Sequence, residues 1–374
     1  MGRENSGIGQ VARIGLGRVT IADLAMALDL SKGTVSRALN EYDDISEATK
    51  MRVAEAARRM GYRPLEHAQA IRTGRIKSIG LILQMDEHDG YGPFLRDYLA
   101  GISQSASDLG WSLTVASAKS SADFERTARR MVEQRRVDGF ILPRTLVNDT
   151  RFNLLQRMDV PSVLFGRVGY GTGTVDAGAS WYDIDGEAAL AEAVNRLVKF
   201  GHCRIGFVGA PAEYNYSHIR RDGYLRGLAE AGLEHDPDLM ISDVRTFSDG
   251  ERAARKLLLL AEPPTAIVYS TDETALGAYD AAAGFGLKLG RDLSIISYDG
   301  AARGSYMQPT LTTFRVNLSE AGYRLASLLV RRVEGEAPES LREMAKAQLV
   351  RGGTDGPAVL TSLQLATRIC RTAA

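Results

Sequence analysis

Lys32, Gly33, Thr34, Ser36 and Arg37 surround one apolar residue, Val35, in the run KGTVSR. Two cations, two hydroxyls and a glycine hold no nucleophile–base pair and no metal-ligand set. What they can do is donate hydrogen bonds to fixed acceptors, such as phosphate oxygens and the base edges of a major groove. Short polar residues flank the run: Thr20 and Ser31 before it, Asn40, Ser46 and Thr49 after it. Each stands where a helix starts or stops, able to cap that helix or to meet a phosphate.

Those side chains need short, rigid elements behind them. Ile21, Leu24, Ala25 and Leu28 recur at helical spacing, with Thr20 as N-cap and Asp23 in the first turn. Asp29, a residue that tolerates a left-handed backbone, serves the turn. Ser31 opens a second helix that carries Val35 and Leu39 inward, and Asn40–Asp44 is a polar loop. Ser46 caps a third helix, Glu47 to Met60, with Val53, Ala57 and Met60 on its apolar side and Gly61 as its C-cap. Two short helices joined by a tight turn form a helix-turn-helix. On this pattern alone a hairpin in a larger helical domain competes evenly with a DNA-reading head.

The whole run, TIADLA…LSKGTVSRALN…ISEATKMRVAEAARRMGYRP, resembles the head of the lactose repressor (LacI/GalR) family of bacterial transcription regulators. The resemblance puts TVSR in the recognition helix and GYRP at the close of the third helix. It implies that Lys32, Gly33 and Arg37 read the major groove and that Thr20, Ser46 and Thr49 bind phosphates. It also turns LEHAQAIRTGRIKS into a hinge helix that orders in the minor groove, with Ile71 as wedge and Ala68 at the helix–helix contact. This chain has Ile where many relatives have Leu at the wedge, and Gln69 where many have Arg.

Lys+Arg and Asp+Glu both number 46, so the chain is neutral overall, but through Lys77 thirteen basic residues face nine acidic ones. That sign suits a head on phosphates and a body held off them. Two cysteines are too few for a disulfide framework or a metal cluster. Residues 1–18 carry no apolar core of the kind a signal peptide needs, and are read as a disordered leader. No run reaches membrane-span length, so a cytoplasmic protein is expected. The five histidines show no HExxH spacing, and neither GxSxG nor GxxxxGK[ST] occurs. An enzyme is not expected, and no cofactor is called for. His202 is read as holding a loop, and DEHDG as a solvated loop.

From Lys77 the pattern becomes strand–helix alternation, beginning with the apolar run Ile79–Leu83 and restarting near residue 185. Repeated βα units predict parallel sheets with right-handed crossovers. The expected fold class is α/β: a three-helix helix-turn-helix head followed by two doubly wound α/β subdomains of periplasmic-binding-protein type. The expected boundaries are head 19–63, hinge or linker 64–76, effector and dimerisation domain 77–357, and tail 358–374. The first subdomain takes 77–180 and a returning segment near 300–315; the second takes 185–298 and 316–350. KFGHCRIGFVG, PTAIVYSTDETALGAYDAAAGFGLKLGRDLSIISYDG, QPTLTT and QLVRGGT resemble family landmarks along this body.

In such folds a ligand sits at the carboxyl ends of the strands. The resemblance implies a stacking aromatic at Phe94 with Leu95 beside it, a cleft arginine at Arg220 and a ligand-accepting carboxylate at Asp299. Thr271 stands where relatives show Asn, and Arg167 ends a strand where it could face the cleft. The implied partners are double-stranded operator DNA, a second copy of the chain, and a small effector, with no membrane. The effector expected is a mono- or disaccharide, an α-glucoside by resemblance. A purine or other co-repressing metabolite is the alternative, and a sugar-binding module without regulation a further one. The tail lacks a sustained heptad, so a coiled-coil tetramer is not expected.

Overall fold

The computed structural model describes residues 19–62, 75–84, 92–171 and 178–373. The leader, Ala68 and Ile71, DEHDG, and the side chain of Phe94 lie outside the described residues. The chain divides into two compact units, 1–76 and 77–374.

The first unit holds α1 (Ile21–Leu28), α2 (Lys32–Leu39) and α3 (Glu47–Met60). Thr20 and Asp23 form a capping box at α1, and Asp29 ends that helix in the left-handed conformation at φ 53°. Ser31 and Ser46 accept from the amides of Thr34 and Thr49 to open α2 and α3, and Gly61 closes α3 at φ 70°. Leu24, Val35 and Val53, one from each helix, are wholly buried against one another. Each such side chain contributes about 1.5–3 kcal/mol, so three residues anchor a unit too small for a larger core.

The second unit runs β1 (Ser78–Gln84), α4 (Gly92–Asp108), β2 (Ser112–Ala118), α5 (Ser121–Glu133), β3 (Gly139–Leu142), α6 (Thr150–Arg157), β4 (Ser162–Phe165) and β5 (Ser180–Ile184). It continues through α7 (Gly186–Lys199), β6 (Ile205–Val208), α8 (Asn215–Glu230), β7 (Met240–Ile241), α9 (Phe247–Leu258), β8 (Ala266–Tyr269), α10 (Asp272–Gly284), β9 (Ser294–Asp299) and α11 (Ala302–Ser305). Last come β10 (Thr313–Arg315), α12 (Leu318–Val333), β11 (Arg342–Ala345), β12 (Gln348–Val350) and α13 (Ser362–Ala373). Two six-stranded sheets result, ordered β11-β5-β4-β3-β1-β2 and β12-β10-β9-β8-β6-β7. Among the described residues every pairing within the two sheets is parallel except β10–β12. Wholly buried strands such as β6 and β8 read as unbroken apolar runs, as strands covered on both faces must.

The return to the first sheet differs from expectation. Residues 300–315 stay with the second sheet, where Thr313 to Arg315 pair with Ser297 to Asp299. The returning segment is α12 with β11, whose Arg342 to Ala345 pair with Trp181 to Ile184. Amphipathic α12 decides this, because Leu325, Ala326 and Leu329 bury in the same core as Ile79 and Ile102. Gly101 and Gly322 let α4 and α12 touch backbone to backbone: a Cβ on Gly101 would lie 2.0 Å from the Ser319 carbonyl oxygen. The tail packs on the second sheet, where α13 buries Leu365 and Ile369 in the outer core. His202 ties a loop as expected, with Nδ1 2.8 Å from Thr265 Oγ1 and Nε2 3.0 Å from the Gly356 carbonyl.

Candidate nucleic-acid interface and ligand cleft

In the first unit α2 buries Val35 and Ala38 and leaves Lys32, Gly33 and Arg37 exposed. Its first turn contains no acidic residue, so the positive end of the helix stands open to an anion beside Lys32. Ser31 and Thr34 share that end, Oγ to Oγ1 at 2.9 Å. Arg37 is half-exposed, ion-paired with Asp44, and lies 5.9 Å from the Tyr42 ring centre. Thr20 is differently occupied: its hydroxyl donates to Asp23 Oδ2 at 2.7 Å, and a carboxylate sits where a phosphate would. That hydrogen bond holds the Asp23 carboxyl below its ordinary range. Asn40 likewise turns back on its own helix, donating from Nδ2 to the Ser36 carbonyl at 2.7 Å. Ser46 and Thr49 pair at 2.9 Å at the start of α3.

In the second unit a cavity of about 1110 Å³ opens between the two sheets' carboxyl ends. Arg167, Arg220, Thr271 and Asp299 all line it. Leu95 does not: one turn into α4 it packs against the first core, because the helix turns that side toward Ile102. Thr271 stands at the N-cap position of α10 without capping it, its hydroxyl 2.9 Å from that of Thr274.

Arg220, on α8, lies between two aromatic faces, 4.5 Å from the Tyr216 ring centre and 3.9 Å from that of Tyr298. Nη1 donates to the Ser270 carbonyl at 2.6 Å, and Nη2 faces Asp299 Oδ1 at 3.4 Å. The stem passes Gly186, where a Cβ would come 3.2 Å from Arg220 Cγ. Asp299 ends β9 at φ 122°, a region costly for any residue with a side chain. Burial pushes its carboxyl upward, against the opposing charges of Arg220 and Arg144.

A second pair comes from the first sheet. Arg167 Nε donates to Asp183 Oδ2 at 2.8 Å, and the Ile184 amide donates to Oδ1 at 2.8 Å. Burial raises Asp183 too, opposed by Arg167. Beneath Asp299, Asp272 is wholly buried and accepts from Ser297 Oγ (2.5 Å), Thr313 Oγ1 (2.6 Å) and the Ala301 amide (2.5 Å). Burial first, and the charge of Asp299 second, push it up to about 7. Among the described residues no group of His, Cys, Asp and Glu could hold a metal ion, and no helix is long and apolar enough to cross a membrane.

Asp183, Tyr214, Tyr216, Tyr298 and Arg144 also line the cavity, and nothing in the sequence pattern singles them out. Of these, Asp183 comes nearest to being legible. The strand SWYDI alternates buried and half-buried residues, but the glycine-rich stretch before it reads as loop.

Residues 20–64 match the family described as bacterial regulatory proteins, lacI family, and residues 194–354 match the periplasmic binding protein-like domain. The chain is 33% identical over 345 residues to the HTH-type transcriptional regulator AglR of Rhizobium meliloti (strain 1021), covering 91% of this chain and 95% of the relative. To the HTH-type transcriptional repressor CytR of Escherichia coli (strain K12) it is 31% identical over 336 residues, 90% of this chain and 96% of CytR. The solved complex of the transcriptional regulator CelR with cellobiose superposes with a TM-score of 0.69 at 26% identity, over 90% of this chain and all of that one. The chain belongs to the lacI family of bacterial regulatory proteins, which makes it a DNA-binding transcription regulator and not an enzyme.

Proposed function

We propose that this regulator binds a roughly palindromic operator as a homodimer in the cytoplasm and is released when a neutral mono- or disaccharide enters the cleft. Lys32, Gly33 and Arg37 read the major groove. Ser31 and Thr34 at the open end of α2, with Ser46 and Thr49 at α3, meet phosphates, while Ala68 and Ile71 serve the minor groove. The head is 19–63, the linker 64–76 and the effector domain 77–357, with the return at 318–345.

One observation carries the effector class. The cavity presents two Arg–carboxylate pairs, Arg167–Asp183 from the first sheet and Arg220–Asp299 from the second. Each pair offers donors and acceptors side by side at little net charge, as vicinal hydroxyls require. About 1110 Å³ holds one or two sugar rings, and the relative solved with cellobiose supports the class. A nucleobase is the second reading, because Tyr214 and Tyr216 stack at 5.3 Å and both line the cavity. Arg220 counts against it by already covering the faces of Tyr216 and Tyr298 that a base would use.

A thermal-shift screen against sugars, sugar phosphates and nucleosides tests this, since ligand at 100 times its Kd adds roughly 2.7 kcal/mol. A hit among neutral sugars that Asp299→Ala abolishes, with operator binding retained, supports the reading. A hit confined to nucleosides replaces it with the second.

A further inference from the structure

The two subdomains of the second unit are joined by three chain crossings, at 184–186, 316–317 and 346–347. All three leave strands on one edge of each sheet: β5 and β11 in the first, β10 and β12 in the second. On the other flank of the cleft the subdomains meet without any covalent connection. There the loop after β3 pairs with the loop after β6. The Val147 amide donates to the Glu213 carbonyl at 2.9 Å, and the Asn215 amide donates to the Thr145 carbonyl at 3.0 Å. Leu146 and Tyr214 thus face each other across an isolated antiparallel bridge.

Tyr170, in the loop after β4, fastens this bridge. Its amide donates to Asn215 Oδ1 at 3.0 Å, its hydroxyl donates to Asp222, and its ring stacks on His218 at 4.7 Å. Thr145 and Tyr214 line the cavity, so the bridge is part of its wall. The first subdomain's half is held firmly: buried Asp149 accepts from the Leu146 amide at 3.1 Å and pairs with buried Arg151 at 2.6 Å.

We infer that this bridge is a latch: it closes the cleft on the flank opposite the crossings, and its opening admits the ligand. The crossings alone leave the subdomains free to part on this side. Parting them there breaks the two backbone bonds of the bridge, the Tyr170 bonds to Asn215 and Asp222, and its stack on His218. Such a contact belongs to the low end of a protein's local stabilities.

Hydrogen exchange of the full chain tests the inference without any ligand, so its failure is separate from a failure of the sugar assignment. Tyr170→Phe removes the bond to Asp222 and keeps the ring. The Val147 and Asn215 amides should exchange faster by about ten- to a hundredfold, the loss of one charge-assisted bond, while β3 and β6 stay protected. No acceleration in Tyr170→Phe or in Asn215→Ala would overturn the latch. So would acceleration spread over both sheets, which would mark the bridge as part of the cooperative core.

Leu146→Cys with Tyr214→Cys, in a chain whose Cys203 and Cys370 are changed to Ser, provides a lock. Facing residues of this kind bring Cα atoms to about 4.5–5.5 Å, within a disulfide's span. Oxidation should slow exchange along the cleft wall at Gly209–Ala212 and Thr271–Thr274, and reduction should restore it. Equal exchange in the two states would mean that the subdomains do not part there.

Discussion

Arg37 in the head keeps 53% of its side chain exposed and pairs with Asp44, itself 46% exposed. Arg220 in the cleft keeps 13%, lies between two tyrosine rings and shares its charge with Asp299. The two arginines face different solvents. Around Arg37 water and salt screen every interaction, so its pair is weak and easily exchanged for a phosphate or a guanine. Around the buried ion pair at Asp149 there is little screening, and a partner once removed is not replaced by water; Arg220 is shielded by its two rings, while Asp299 keeps 43% of its side chain exposed. The head keeps its cations available, whereas the cleft engages its own before a ligand arrives.

The largest effect should come from breaking a buried pair. Asp149→Ala strands the Arg151 guanidinium and frees the Leu146 amide, for a loss of about 3–5 kcal/mol in urea denaturation. Burial works to raise the Asp149 carboxyl, yet the hydrogen bond and charge of Arg151 outweigh it and hold the group low. Its stabilisation is therefore present at neutral pH and lost as pH falls through that lowered value. A loss under 1 kcal/mol would mean that this pair behaves like a surface one, and the contrast with Arg37 would collapse.

Next in size is a pH dependence of the opposite sign. Burial, and then the charge of Asp299, push the Asp272 carboxyl up to about 7 in the folded chain, from 3.8 for an ordinary aspartate. Below the lower value it is neutral in both states. As pH rises between the two, the unfolded chain gives up this proton first, so the contribution of Asp272 is progressively lost and stays lost above about 7. Asp272→Asn cannot ionise, so its melting temperature should fall less than the wild type's between about pH 5 and pH 8. Parallel curves for the two proteins would show that Asp272 is already ionised when buried, held by Ser297, Thr313 and the Ala301 amide.

The same contrast explains what the sequence disclosed. The head is legible nearly to the residue: the capping serines, the left-handed Asp29 and the Gly61 stop all stand as read, because each acts within four residues along the chain. The sheets are legible as a class, since Ile79–Leu83 within β1 and the whole of β8 are unbroken apolar runs. The cleft is only half legible. Arg220 and Asp299 emerge through resemblance, but their neighbours depend on which loops the fold gathers. Asp183 hides behind a glycine-rich stretch, and Leu95 falls outside the cleft because helical phase, not proximity in sequence, decides which face of α4 it joins. The late return at α12 escapes a sequence reading because residues 300–315 and 318–345 both follow a strand, and only the buried face of α12 separates them.

A smaller effect is expected at the recognition helix. Arg37→Ala should weaken operator binding by about 1–3 kcal/mol if Arg37 reads a base edge, and should leave stability and the cleft unaltered. A uniform loss across DNA sequences, with the salt slope reduced by about one, would make it a phosphate contact instead.

The smallest effect is the most diagnostic. Asp44→Ala removes the partner that holds Arg37 beside Tyr42. An exposed pair of this kind contributes at most about 1 kcal/mol to stability, so the head should unfold at nearly the same urea concentration. What should change is DNA affinity, and its sign discriminates. If Asp44 competes with DNA for the guanidinium, removing it tightens binding severalfold at low salt, and the gain fades as salt screens the competing attraction. If Asp44 instead orients Arg37 toward the groove, removing it weakens specific binding while non-specific binding rises with the loss of a negative charge. In the first case the head's cations are free agents, as the contrast with Arg220 requires. In the second, Arg37 is held by its partner much as Arg220 is held in the cleft, and exposure alone does not distinguish the two sites.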